Sequence, residues 1–321
     1  MESEEELIRR LVAGVPGLGP VAAVDDAGAG RGVFSTVARL HFADGSTLVA
    51  KLPGPNRGAA ITSGAFERER WTYQLLAPDL PIRAPRCHAL VDLDDGAAAF
   101  LLDDLGSLRW VDQADGLATD DIARIAAALA PMHQWGRSRL DAHPLDRVRR
   151  HAPTTFPAEA LAAGLAAAER SWGGEVDLAP LAHRLERRAD DLAAFSAAPA
   201  TICHGDARAD NLAFDGDDVV LFDFQQIAVQ TPGADLAWLV ATSCVVDDQP
   251  AAIDAAVTAH AERTGDSVDA TLAALRLGTL HPASAVLLLA GRDTDDPAAR
   301  AFVGRSLRRI AAFAAQVDAG Q

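Results

Sequence analysis

The apolar residues change period near residue 105, and that change limits the chain to folds in which a sheet-rich segment precedes a helical one. Residues 20 to 52 read as strands broken by turns. Val21 to Val24 is short and apolar, Asp26 to Gly32 is turn-rich, Val33 to Phe42 alternates, Asp44-Gly45 marks a hairpin, and Thr47 to Leu52 is a strand ending near Lys51. Ahead of them, Leu7, Leu11 and Val12 among Glu and Arg predict an amphipathic helix. Gly17-Leu-Gly19-Pro-Val-Ala22 imitates a dinucleotide fingerprint but follows that helix where the fingerprint needs a strand, so it reads as a turn. Residues 53 to 64 form a Pro- and Gly-rich loop, 65 to 77 return to helical period, and 97 to 105 read as an apolar strand ending in two carboxylates. Beyond Gly106 the spacing is helical, first from Thr119, expected to cap, through Ile122, Ile125, Leu129 and Met132. Further helical patterns cover 157 to 171, 178 to 196, 233 to 246, 250 to 264, 267 to 279 and 296 to 318. The fold class is therefore α+β, with a sheet lobe over 1–105 and a mainly helical lobe over 106–321.

The composition fits such a chain: 321 residues, 49% hydrophobic and 23% charged, are enough for a sizeable core. No apolar run is read as reaching the roughly 20 residues of a membrane-spanning helix. Glu2, Glu4, Glu5 and Glu6 stand where a leader would be basic and then apolar, so the expected location is the cytoplasm with no membrane partner. The formal charge, 29 minus 45 or −16, would repel a phosphate backbone and argues against nucleic acid. Cys87, Cys203 and Cys244 are far apart with no CxxC pair, and read as buried thiols.

Lysine occurs once, at Lys51, so 28 of the 29 basic residues are arginine. Whatever pressure removed the others, the survivor marks a place where a compact ammonium is needed and a planar guanidinium does not fit. It follows Leu48, Val49 and Ala50, so there is no Gly-Lys pair and no P-loop. In the next helix Phe66, Glu69, Tyr73, Leu76 and Ala77 share one stripe, which puts a carboxylate on the face meant for the core. Glu69 is expected to be half-buried and paired with Lys51, and Glu67 solvated.

Residues 200 to 226 interrupt the helical half with a hairpin turning at Asp215 to Asp218, which holds Asp206 and Asn211 near Asp223. Phosphoryl transfer asks for such a set: one carboxylate to take the attacking hydroxyl's proton, and an Asn oxygen with a second carboxylate to hold Mg²⁺ against nucleotide phosphates. Asp-x4-Asn followed by Asp at a strand end matches the catalytic loop and metal Asp of kinases, and Lys51 and Glu69 precede it in kinase order.

His204-Gly205-Asp206 with Asn211, then Asp223-Phe-Gln225 and Gly233-Ala-Asp235-Leu-Ala, resembles the aminoglycoside phosphotransferase and choline kinase superfamily, which shares the protein-kinase fold. Gly-Asp-Ala-Arg-Ala-Asp-Asn-Leu is similar to the bacterial and ecdysteroid kinase-like branch, and the likeness runs from about 28 to 245. The resemblance implies a bilobal kinase-like fold and use of ATP and Mg²⁺ on a small-molecule hydroxyl acceptor. It makes Asp206 the catalytic base, Asn211 and Asp223 the metal ligands, and Arg208 a residue that stabilises charge on the transferred group. Lys51, held by Glu69, would contact the α- and β-phosphates, the turn containing Gly30, Gly32 and Ser35 would cover them, and backbone groups of Leu102, Asp103 and Asp104 would hold adenine. Asp235 is expected to anchor the catalytic loop, His204 to be structural, and His133 with Met132 to lie in the core. HGD in place of HRD, Gln225 in place of Gly and the lack of an Ala-Pro-Glu segment speak against a protein substrate. A nucleotide-binding pseudokinase and a metal-dependent hydrolase built on His204, Asp206 and Asp223 are the competing readings.

Overall fold

The computed structural model describes residues 3–26, 35–55, 58, 64–140, 149–150, 156–292 and 296–319. Gly30 and Gly32 lie outside them. The chain divides into two compact units: residues 1–109 with 213–216 and 220–226, and residues 110–212, 217–219 and 227–321.

The first unit opens with α1 (Glu4–Ala13), whose N-cap Ser3 hydroxyl accepts the Glu6 N–H and whose first turn carries three glutamates that suit the helix dipole. A five-stranded antiparallel sheet follows, in the order β1-β2-β3-β5-β4. Its strands are β1 (Val21–Asp26), β2 (Ser35–Phe42), β3 (Thr47–Pro53), β4 (Cys87–Asp92) and β5 (Ala98–Asp103). The β2–β3 hairpin turns at Gly45 (φ 85°), with the Asp44 carboxylate accepting the Ser46 N–H. Between β3 and β4 lies α2 (Ala65–Trp71), which widens into a π-turn over Thr72–Leu76, where the Ala77 N–H reaches the Thr72 carbonyl.

Strand alternation sorts the side chains of this sheet onto two buried faces. Leu48, Ala50 and Leu52 of β3 join Ala99 and Leu101 of β5 in a core closed by Leu7 and Leu11 of α1. Phe100 and Leu102 point the other way, into a core with Phe66, Tyr73 and Phe224. Lys51, between Ala50 and Leu52, takes this second face. β4 was not foreseen: Cys87 to Val91 are all half-buried and Asp92 is exposed, so there is no alternation to read.

The second unit is mainly helical. α3 (Thr119–Arg137) starts after Ala118, and Thr119 makes no capping bond, contrary to expectation. α4 (Ala158–Trp172) follows, and the pattern over 178 to 196 is two helices, α5 (Ala179–Glu186) and α6 (Arg188–Ala197), broken at Arg187. A small sheet joins β6 (Arg149–Arg150), β7 (Thr201–Cys203) and β10 (Ala228–Gln230), whereas the hairpin of β8 (Leu212–Asp215) and β9 (Asp218–Leu221), which turns at Gly216, belongs for the most part to the first unit. Five helices complete the chain: α7 (Gly233–Ser243), α8 (Gln249–Thr264), α9 (Val268–Gly278), α10 (Leu280–Ala290) and α11 (Pro297–Ala319). α3 packs along α8, and α7 along α9. α7 and α9 meet at Gly233 and Gly278, where a Cβ on either would run into the other's backbone, so glycine there fixes how closely α7 is seated.

α10 was also missed by periodicity, because it is buried nearly all round. With α9 it gives Val268–Ala290 the length and apolarity of a membrane span, at a mean hydropathy of 1.5. The stretch is divided at Thr279, and 56% of its apolar window is buried inside the protein. The expectation that no stretch reaches the length of a membrane span is thus corrected by length and composition.

Candidate active site

In the first unit the site is built around one ammonium. Lys51 Nζ donates to Glu69 Oε1 at 2.7 Å, to Glu69 Oε2 at 2.8 Å and to Asp223 Oδ1 at 2.8 Å, using all three of its protons. Glu69 is wholly buried, deeper than its stripe position suggested, while Glu67 is exposed as expected. The Gln225 amide donates to Glu69 Oε2 at 3.2 Å and to the Ser35 hydroxyl at 3.4 Å, and the Gln225 carbonyl accepts from Arg68 Nε at 2.7 Å. Gln225, a departure from the kinase pattern in sequence, is therefore part of the brace that holds Glu69.

The electrostatics are unbalanced. Burial works to lower the Lys51 pKa, but attraction to Asp223 and then Glu69 outweighs it and leaves the ammonium pKa raised. Glu69 is pushed up by burial, which Lys51 opposes and the nearby Asp223 charge reinforces. One cation between two carboxylates leaves a formal charge of −1 among these three side chains, with Glu69 wholly buried and Asp223 31% exposed. Asp223 adds backbone strain: its φ is 65°, and it is the one non-glycine residue with positive φ among the described residues.

In the second unit the loop from His204 to Asn211 hangs on α7. Asp235 is fully buried; Oδ2 accepts the His204 N–H at 2.7 Å and Oδ1 the Gly205 N–H at 2.8 Å. Gly205 has φ 81°, which bends the chain so that successive N–H groups face one carboxylate. The other Asp235 contact is His133 Nε2 at 3.1 Å, and His133 Nδ1 meets His260 Nε2 at 2.9 Å. Burial opposes ionisation of Asp235, but the His133 hydrogen bond and charge, the His204 charge and the Gly205 N–H together lower its pKa. His133 is in the core as expected, but as the middle of a polar chain. The buried His204 ring accepts the Asp206 N–H at 3.3 Å, a structural role.

Asp206 itself is held at both oxygens: Trp238 Nε1 donates to Oδ1 at 2.8 Å, and Asn211 Nδ2 to Oδ2 at 2.8 Å. Asn211 Nδ2 also donates to the Asp206 carbonyl at 2.9 Å, so the amide nitrogen is committed and the side-chain oxygen is the atom that can meet a cation. Arg208 lies 3.4 Å from Asp206 Oδ1 and donates to Gln113 Oε1 at 3.0 Å.

Comparison with known proteins decides what this machinery belongs to. The model of the phosphotransferase enzyme family matches residues 30–277, more than three quarters of the chain. The chain belongs to the phosphotransferase enzyme family. Comparison with curated proteins gave no match. Solved structures share the kinase-like fold at low identity. An amicoumacin kinase in complex with AMP-PNP, Ca²⁺ and Ami is 14% identical with TM-score 0.62, over 97% of this chain and 94% of that one. Wild-type aminoglycoside 2'-phosphotransferase-IIIa in its GDP complex is 16% identical with TM-score 0.62, over 98% and 99%. Choline kinase from Cryptosporidium parvum Iowa II is 10% identical with TM-score 0.63, over 99% and 97%.

In this phosphotransferase the first unit brings together Lys51, Glu69 and Asp223, and ties Ser35 to them through Gln225. The second unit brings together Asp206, Arg208 and Asn211. Leu102 and Asp103 end β5, but the Asp103 N–H, one of the backbone groups expected to face adenine, donates to the Arg86 carbonyl at 3.1 Å. The side chains there are engaged too, Asp103 with the Arg86 N–H and His88 and Asp104 with Arg39 at 2.8 Å. A cavity of about 340 Å³ opens at Thr47, Arg83 to Pro85, Asp103 to Leu105, Leu108 and Val220, and includes none of Lys51, Glu69 and Asp223. His133, Cys203 and Asp235 also lie close together. Burial and the Asp235 charge push the Cys203 thiol pKa well up, and Sγ lies within donating distance of the carbonyls of Gln230 and Thr231. Sequence reasoning missed Trp238 and His260. Trp238 had a signal, three residues after Asp235 and so on the same helix face.

Proposed function

We propose that this phosphotransferase moves the γ-phosphoryl group of ATP, with Mg²⁺, to a hydroxyl of a small molecule. The observation that carries the reading is the excess of carboxylate over ammonium around Lys51, where Asp223 offers oxygen of the kind a hard divalent cation takes. Asp223 and the Asn211 side-chain oxygen would hold that cation, which when bound neutralises charge on the nucleotide phosphates. Lys51 contacts the α- and β-phosphates, with Glu69 and Gln225 fixing its direction. Asp206 takes the proton of the attacking hydroxyl, its carboxylate oriented by hydrogen bonds at both oxygens. Arg208 balances charge on the group in transfer. Gly30, Gly32 and Ser35 cover the phosphates, and the segment Leu102 to Asp104 holds the adenine.

The acceptor is a small molecule, as it is for the amicoumacin kinase, the aminoglycoside phosphotransferase and choline kinase whose fold this chain shares. The acidic balance of −16 favours an amine-bearing alcohol over an anionic acceptor, a nucleic acid or a membrane surface. The site is assigned to the cytoplasm, where ATP and Mg²⁺ are at hand.

The test is ADP release from Mg·ATP with a panel of aminoglycosides, macrolides, choline-like alcohols, sugars and hydroxy acids. Acceptor-dependent ADP is expected from the wild type. Asp206→Ala should lower kcat by about 10²- to 10⁴-fold while nucleotide still raises the melting temperature. Equal turnover in the variant would remove Asp206 from the reaction.

A further inference from the structure

The loop that carries Asp206 is held by two residues of one helix. Asp235 and Trp238 are one turn apart on α7 and project from the same face. Asp235 accepts the N–H groups of His204 and Gly205, and Trp238 donates to the carboxylate of the next residue, Asp206, at 2.8 Å. Three consecutive residues are thus fixed by a single rigid element. The indole is itself supported: its ring lies 4.7 Å from that of His281 at 43°, and the contact of Gly233 with α9 sets the height of the helix.

We infer that Trp238 is a positioning residue for phosphoryl transfer: its indole N–H locks the Asp206 carboxylate in the orientation that receives the acceptor's proton. This rests on Asp206 being the base. Indole is a donor only, so this bond cannot reverse its sense, and a bond from N–H to a carboxylate is charge-assisted. Asn211 holds Oδ2 from inside the loop, and Trp238 holds Oδ1 from outside it. With the indole N–H gone, Oδ1 keeps only the longer contact to Arg208 among the contacts described above, 3.4 Å against 2.8 Å, and is held less firmly about the bond to Cβ. A misplacement of about 1 Å in a reacting group can cost about 10²-fold in rate.

The experiment uses the full chain with Trp238→Phe, which keeps an aromatic ring and removes the donor. Benzothienylalanine installed at position 238 serves as a second variant, keeping the indole's shape while sulfur replaces the N–H. Mg·ATP turnover is followed with kanamycin, choline and water as acceptors, beside Asp206→Ala. The expected result is a kcat about 10- to 100-fold lower in both variants, with the KM of nucleotide and acceptor within about twofold of wild type and an unchanged melting temperature. The same bond has a spectroscopic signature. Of the five tryptophan indole N–H resonances, the one lost in Trp238→Phe should exchange slowly with solvent, and should exchange fast in Asp206→Ala.

If both variants turn over within about twofold of wild type while Asp206→Ala is inactive, the positioning role is wrong and the phosphotransferase reading stands. Should Trp238→Phe unfold, the benzothienyl protein decides alone. Wild type releasing no ADP with any acceptor, or Asp206→Ala turning over like wild type, overturns the reading of the site and this inference with it.

Discussion

The Lys51 cluster and the Asp235 cluster are both buried and both centred on a carboxylate, yet they are balanced in opposite ways. Around Asp235, two backbone N–H groups and an imidazole converge on one carboxylate, and its pKa falls despite complete burial. Around Lys51, two carboxylates share one ammonium, Glu69 is pushed up, and Asp223 sits at a strained φ of 65°. One region surrounds its carboxylate with donors, and the other carries one more carboxylate than ammonium. Preorganisation thus belongs to the loop bearing Asp206, and adaptability to the cluster assigned to nucleotide and metal.

The largest test of this contrast removes the shared cation. Lys51→Met takes the ammonium away from the wholly buried Glu69 and from Asp223, and breaking a buried pair in this way typically costs about 3–5 kcal/mol. Chemical denaturation should show that loss, with a recovery when the pH is lowered enough to protonate one of the two carboxylates. A variant as stable as the wild type at neutral pH would mean that the surplus charge is solvated.

A paired substitution separates the two regions more finely. Asp235→Asn removes a charged acceptor that satisfies two buried N–H groups and His133, so about 1–3 kcal/mol of stability should go together with activity. Asp223→Asn removes the surplus charge while asparagine tolerates the same backbone conformation, so stability should change by less than about 1 kcal/mol while turnover collapses. Melting curves and ADP release on the two proteins read both quantities. Equal losses of stability would erase the distinction between the two regions.

Why one region was readable in sequence and the other only in part follows from what each depends on. Lys51 stood out because no other lysine exists, and Glu69 because a carboxylate interrupted an apolar stripe; both signals are local. Asp206, Asn211 and Asp223 were legible through their spacing about a hairpin. His133 and His260 act on each other from 127 residues apart, where no local pattern marks a residue by what it will touch, and Trp238 was marked only by its place one turn after Asp235. The elements missed share a cause: β4 is half-buried on both faces and α10 buried all round, so neither alternates. The Thr119 cap failed because the chain enters α3 one residue earlier, at Ala118.

The smallest effect is a slope. His133 Nε2 faces the Asp235 carboxylate, an acceptor, so in neutral His133 the Nδ1 accepts from His260 Nε2–H, and a proton added to His260 would go to its Nδ1, which is buried with no hydrogen-bond partner among the described residues. Burial first, then the His133 and Arg137 charges, lowers the His260 pKa to about 3. In the unfolded chain the same imidazole takes up a proton near 6.5. Between those values the unfolded state binds the extra proton, so this residue's contribution is intact above about pH 6.5 and is lost steadily as pH falls toward 3. The slope is at most about 1.4 kcal/mol per pH unit for one proton. His260→Gln keeps a side chain that can bond His133 and cannot titrate. Its stability should therefore fall less steeply than the wild type's between pH 6.5 and 5, while the two proteins differ little in slope above pH 7. Parallel curves across the acid range would show that the His133–His260 contact opens to water and takes its proton freely, and that the polar chain behind Asp235 is looser than its distances suggest.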